Sequence, residues 1–324
     1  MRTKGYFLGC LLAFLAVGQL HADFAIKNGS VVDAETLPTT TIENHYAMGL
    51  EAFQKKDWKE VVKQFKIITY NFPNSSYAKR GYFNLGVGCY YESEFEESNT
   101  AFTNYLKLNK HPENFEEAMR YKLAIANAFS LGATRHMFGL RQMPSWLYGY
   151  ELGLEIYDEI ISTMPAHDLA AQALYSKATY HWRYSEHRDA VETFQMLIRR
   201  FPKHPLSAEA YVHINKVYID QAKRETQNPD IIAFAELNAT KFQNDFPGEP
   251  RLEESRSDVQ KIKELYAAGL FETGQYYERT KQSHASVIYY KSALKQFPDT
   301  NIAKKCQKRL KALDADVASH VVSE

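Results

Sequence analysis

Residues 72–86 read "FPNSSYAKRGYFNLG", and the junction returns as "MPAHDLAAQALYSKA" at 164–178 and "FPKHPLSAEAYVHIN" at 201–215. In each copy a proline is followed five or six residues later by an alanine. Thirteen residues after the proline stands a small or neutral residue: Gly86, Ala178 and Asn215. Proline lacks an N–H and clashes with the preceding turn, so it ends a helix rather than continuing one. Each copy therefore closes one helix and opens another, and a repeated junction implies a repeated structural unit.

Six prolines lie at such helix ends: Pro73, Pro112, Pro165, Pro202, Pro247 and Pro298. The runs before them are amphipathic, as in "WKEVVKQFKIITYNFP" and "HRDAVETFQMLIRRFP". Phe65, Tyr157, Phe194 and Tyr290 each stand eight residues before their proline, and Val61, Gly153, Ala190 and Ser286 four residues earlier again. Twelve further back are Gly49, Ala178 and Gly274. These offsets resemble the tetratricopeptide repeat (TPR), a helix–turn–helix unit of about 34 residues. The small residue lets two helices approach, and the aromatic plugs the gap to the neighbouring repeat.

The expected fold is thus all-α, a solenoid of TPR-type helical hairpins in which each unit completes its neighbour's burial. Six hairpins are expected at 42–73, 79–112, 117–165, 171–202, 208–247 and 267–298. A closing helix follows in "NIAKKCQKRLKALDADVASH", with Lys304, Lys305, Lys308, Arg309 and Lys311 on a solvated face; the TPR-like superhelical domain spans 42–320. The third hairpin carries an insertion near 131–150, and "KRETQNP" stretches the fifth. Insertions in repeat arrays emerge on one face and often bear binding residues.

The 324 residues are 45% hydrophobic, which is globular, with 22 Tyr and 19 Phe to build cores. Charge is balanced, 39 basic against 39 acidic residues, which argues against a nucleic-acid binder. Residues 1–22 read as a secretory signal peptide: Arg2 and Lys4 precede "FLGCLLAFLAVG", too short for a membrane span of about 20 residues. Cleavage after Gly18 or after Ala22 fits. Cys10 reads as part of the apolar run, a lipid anchor at Cys10 being the alternative. Residues 23–41 show no helical period and read as a flexible leader. Cys89 and Cys306 lie four repeats apart and are expected to stay unpaired.

No catalytic constellation stands out, and the chain reads as a non-enzyme with no cofactor and no metal site. Ser76-Tyr77-Ala78-Lys79 matches a bare S-x-x-K, but the junction accounts for Ser76 as a helix cap. His181 and His187, six apart, do not share a helix face and read as structural or exposed. What the repeat does provide is a concave face. Its inward positions fall on Tyr46, Leu50 and Phe53, then Phe83, Val87 and Tyr90, then Tyr121 and Ile125, then Tyr175 and Trp182. Such a stripe is either core between neighbouring helices or an aromatic-lined peptide groove.

The segments "GLEAFQKKDWKEVVKQFKIITYNFPNSSYAKRGYFNLGVGCYY", "AFTNYLKLNKHP" and "FPDTNIAKKCQKRL" resemble the TPR subunit of the bacterial outer-membrane β-barrel assembly machinery, the BamD-like family. The resemblance covers about 42–315. It implies a scaffold and substrate receptor in the periplasm, peripherally associated with the outer membrane through partners or a lipid anchor. Its implied partners are the β-barrel insertase with its periplasmic domains and unfolded outer-membrane protein peptides. It also implies that the C-terminal repeats dock the insertase, with Tyr276, Tyr277, Arg279 and Lys281 as the contact residues. Another periplasmic TPR adaptor, Tol-Pal-associated or secretion-associated, is the rival; no heptad run over 23–41 supports a Tol-Pal coordinator.

Overall fold

The computed structural model describes residues 24–27, 30–33, 36–136, 144–225, 228 and 230–322. The expected signal peptide and Cys10 lie outside these. Thirteen helices follow one another among the described residues. They are α1 (Ile42–Lys55), α2 (Trp58–Asn71), α3 (Ser76–Tyr91), α4 (Phe95–Leu108), α5 (Phe115–Ser130), α6 (Tyr150–Thr163) and α7 (Asp168–Arg183). Then come α8 (His187–Arg200), α9 (Pro205–Arg224), α10 (Asp230–Asp245), α11 (Leu252–Arg279), α12 (Ser283–Gln296) and α13 (Asn301–Val322). Two antiparallel strand pairs accompany them: β1 (Phe24–Lys27) with β2 (Ser30–Asp33), and β3 (Thr134–His136) with β4 (Ser145–Tyr148). The chain divides into two compact units, residues 1–153 and 154–324. The first holds the hairpins α1/α2 and α3/α4; the second holds α7/α8, α9/α10 and α11/α12, closed by α13.

The recurring junction has one construction. The residue before the proline ends its helix: Phe72 N–H donates to Ile68 O, and Phe201 N–H to Leu197 O, both at 2.9 Å. The residue two after the proline turns back, Ser75 N–H to Phe72 O, His167 N–H to Met164 O and His204 N–H to Phe201 O, each at 3.0 Å. That same residue caps the next helix. Ser75 Oγ accepts from Ala78 N–H at 3.0 Å, Thr300 Oγ1 from Ala303 N–H at 3.0 Å, and the His167 and His204 Nδ1 atoms from Leu169 and Leu206 N–H at 3.1 Å. The cap is therefore Ser75, and Ser76, expected as the cap, is the first helical residue. An N-cap takes extended backbone, and Ser75 has it, at φ −74° and ψ 155°.

Within hairpins a second device recurs. Lys56, Ser93, Ser185 and Lys281 all adopt left-handed backbone, with φ between 57° and 64°. The following N–H reaches back over the helix end: Asp57 to Ala52 O, Glu94 to Cys89 O, Glu186 to His181 O and Gln282 to Tyr277 O. This satisfies carbonyls that the ending helix leaves without partners.

Helix approach is set seven residues before each left-handed residue. A Cβ built on Gly49 would stand 2.9 Å from the Phe65 ring, one on Gly86 2.8 Å from Phe102, and one on Gly274 2.5 Å from Tyr290. Ala178 holds the same offset before Phe194, and both are fully buried. Phe65 also meets the next hairpin, since a Cβ on Gly81 would stand 3.1 Å from it. One ring thus plugs two contacts, and burying a side chain of this kind contributes about 1.5–3 kcal/mol in all. The fifth hairpin replaces this pair with buried amides. Asn238 Nδ2 donates to Tyr211 O at 2.8 Å and Asn215 Oδ1 at 2.9 Å, and Asn215 Nδ2 donates to Ser255 Oγ at 2.9 Å.

Two expectations need refinement, and the insertion gains a structure. The segment 23–41, expected as a flexible leader, carries local structure. It contains the β1–β2 ladder, and its end is fastened to the first hairpin: Asn71 Nδ2 donates to Thr36 O at 2.6 Å. The Thr39 and Thr40 N–H groups donate to His45 Nε2, so the buried imidazole carries its proton on Nδ1 and donates to Gln64 Oε1 at 2.6 Å. The first helix of the sixth hairpin begins at Leu252, not 267. One 28-residue helix serves both the fifth and sixth hairpins, its Val259 and Ile262 buried in the first half and Gly274 in the second. The insertion holds a strand pair, β3–β4. Arg135 of β3 is paired with Glu96, and His136 Nε2 lies 3.0 Å from Glu94 Oε2, while Trp146, Leu147 and Tyr148 of β4 are exposed.

Candidate functional site

In the first unit the concave stripe separates into two sets. Phe83, Val87 and Ile125 are buried; Phe83 packs against Phe102 and Tyr105 at ring separations of 5.8 and 5.3 Å. These three are packing residues and present no surface to a ligand. Tyr46, Phe53, Tyr90 and Tyr121 are half-buried, and Leu50 is exposed. The first helices carry these rings toward one another: Tyr46 of α1 lies 5.1 Å from Tyr77 of α3, and Tyr90 of α3 lies 5.2 Å from Tyr121 of α5. Phe53 stands edge-on to Trp58 at 5.5 Å, and Trp58 stacks on the exposed Tyr91 at 4.3 Å. Burial raises the Tyr46 and Tyr121 hydroxyls above the usual tyrosine range, with the neighbouring Tyr91 hydroxyl adding to the effect at Tyr121, so both stay neutral donors. Trp58, Tyr77 and Tyr91 were not singled out in the sequence, although Tyr91 adjoins Tyr90.

In the second unit Tyr175 and Trp182 of α7 share a partner on α9. The Tyr175 hydroxyl and His213 Nδ1 are 3.0 Å apart, and Trp182 stands 5.6 Å from the His213 ring. Phe194 stacks on His213 at 5.8 Å. Burial pushes the Tyr175 hydroxyl up to about 12, and burial with nearby Lys216 holds His213 below the usual histidine range. The imidazole is therefore neutral at pH 7. Trp182 Nε1–H donates to Asp220 Oδ2 at 2.9 Å, which fixes its indole at the wall of an open groove. His213 has no motif around it and becomes visible only through its packing.

The expected docking residues lie at the α11–α12 turn. Tyr276 is 56% exposed, and Tyr277 stacks on Tyr289 at 5.4 Å. Arg279 and Lys281 are exposed, and Lys281 is the left-handed turn residue, so its backbone serves the hairpin while its side chain faces water. For metals, one cluster among the described residues brings His181, Glu186 and Asp189 ligand atoms within 4.8 Å of one another. His181 Nδ1 and Glu186 Oε2 are only 2.6 Å apart, a hydrogen bond. Two ligands at about 2.0–2.2 Å in a tetrahedral shell stand farther apart than that. The pair closes the α7–α8 turn as a hydrogen bond.

A family model described as YfiO, outer membrane lipoprotein, matches residues 38–133 and 161–318. The interval it omits holds β3, β4 and the start of α6. No curated protein matches the sequence. Among solved structures, a TPR repeats protein from Bacteroides fragilis NCTC 9343 is 13% identical, with a TM-score of 0.40 over 85% of this chain and 100% of that one. A tetratricopeptide repeat protein from Parabacteroides merdae ATCC 43184 is 12% identical, with a TM-score of 0.36 over 82% of this chain and 97% of that one. The Pseudomonas aeruginosa protein pilF is 10% identical, with a TM-score of 0.32 over 83% of this chain and 97% of that one.

Proposed function

Since the chain belongs to the YfiO family of outer membrane lipoproteins, we propose that it is a non-enzymatic periplasmic scaffold that receives unfolded β-barrel proteins for insertion into the outer membrane. The observation that carries this reading is the set of half-buried rings on the first helices of the first unit, Tyr46, Phe53, Tyr90 and Tyr121. A half-buried ring leaves apolar surface that a ligand side chain can cover, and such anchors dominate peptide affinity. The last strand of an outer-membrane barrel alternates apolar residues and ends in an aromatic, so it offers matching groups. Among the described residues no helix is long and apolar enough to cross a membrane. In this reading membrane association runs through the insertase or through a lipid on the chain.

A receptor that hands on its cargo needs only modest affinity, on the order of micromolar, or about −8 kcal/mol. Phe53→Ala combined with Tyr90→Ala should weaken binding of a last-strand peptide by well over tenfold while the helical circular dichroism signal is kept. Equal binding by that double variant would remove the receptor role from this face. Tyr276→Ala should leave peptide binding unchanged and reduce capture of the insertase's periplasmic domain. Co-purification from envelope membranes with a division or secretion complex, and without the insertase, would favour the other periplasmic adaptors instead.

A further inference from the structure

The second unit carries an open groove of about 1090 Å³, lined chiefly by α9 and α11, with Trp182 from α7 and Asn301 and Ile302 from α13. Most of its charged groups already have partners. Lys223 is 3.0 Å from Asp220, and Lys216 is 2.9 Å from Glu254. Glu264 accepts from the backbone N–H groups of Asn301 and Ile302, which caps α13.

Asp258 differs. It is 1% exposed, and its Oδ1 accepts from Lys261 Nζ at 2.8 Å. Its Oδ2 is buried with no hydrogen-bond partner. Native proteins rarely leave a buried charged acceptor unmet, because its lost hydration is not replaced. A carboxylate offers about four lone-pair sites, and one lysine fills only part of that capacity. The Lys261 side chain is 61% exposed, so it can rotate aside without unpacking the core.

We propose that this groove takes a polypeptide partner through one arginine or lysine side chain, whose N–H groups complete the hydrogen bonding of Asp258 Oδ2. The half-buried Ile219 and Leu265 offer apolar wall for the methylene stem of that side chain. A polypeptide is favoured over a free amine by size, since the groove holds several residues and one amine would leave most of it to water. The proposal rests on this chain being a partner-binding repeat protein. It does not rest on barrel assembly, so its failure and the failure of that reading are separate results.

The test uses isothermal titration of the full chain with the peptide Ac-Ser-Leu-Ser-Arg-Ser-Leu-Ser-NH2 and its norleucine and citrulline counterparts. The arginine peptide should bind saturably, citrulline more weakly, and norleucine at least tenfold more weakly. Asp258→Asn should weaken the arginine peptide at least tenfold. Lys261→Met removes the internal competitor and should strengthen it two- to tenfold, a gain that a damaged fold cannot produce. No saturable binding, equal binding of arginine and norleucine peptides, or failure of both variants to change the affinity would overturn the proposal and leave solvent as the partner of Asp258.

Discussion

Four residues with side chains hold left-handed backbone at hairpin turns, and none is glycine. For an L-residue that conformation costs about 1–2 kcal/mol, partly offset because glycine is more disordered when unfolded. Ser185→Gly is therefore expected to stabilise the chain by up to about 1 kcal/mol in urea unfolding, and Ser185→Val to destabilise it. His213 supplies a second residue-scale test. Its native pKa is depressed by burial, so as pH falls below about 6.5 the unfolded chain binds a proton before the native one does. Its contribution to stability is complete above that pH and declines as pH drops toward the native pKa. Burial, with Arg224 nearby, depresses His187 in the same direction. The thermal midpoint should fall between pH 7.5 and 5.5, and His213→Phe should make that fall shallower without abolishing it.

At the scale of elements, stability lies where a small residue on one helix admits a ring from the next. Ala178 is fully buried opposite the α8 ring position, and Ala178→Leu should overpack the α7/α8 hairpin at a cost of about 1–3 kcal/mol in denaturant unfolding. The α9/α10 hairpin depends instead on its amides. Asn238→Ala would leave Asn215 Oδ1 without the donor it has now and should cost about 1–3 kcal/mol. Much of this was legible in advance. Gly49, Ala178 and Gly274 could be found because the proline register is constant in those repeats. Gly86 stood on the junction register, but its pairing with Phe102 escaped, because Phe102 stands ten rather than eight residues before Pro112. In the amide ladder Asn215 stands on that register, thirteen residues after Pro202, but its partners Asn238 and Ser255 do not, since an isolated Asn or Ser in a helix gives no periodic signal.

For the whole molecule, both described cysteines, Cys89 and Cys306, are buried and outside any disulfide, and burial pushes the Cys306 thiol up to about 11. A chain beginning at Asp23 should show two reactive thiols when denatured without reductant, and near none when native at pH 8. A single slow thiol or a disulfide would contradict this arrangement. From sequence by itself came the helical class, the hairpin architecture and most junctions, because proline stops and small–aromatic offsets are local rules that recur. Helix extents at α11 needed the structure, since one unbroken apolar period cannot show where a helix leaves one neighbour for the next. The concave stripe needed it as well. Phe83 and Tyr90 share a helix and a residue class, yet one is core and the other half-exposed, because α3 is packed on more than one side. The unmet oxygen of Asp258 was invisible for the same reason: Lys261 three residues on is a local partner, but only the packing of neighbouring helices leaves the other oxygen buried and unserved.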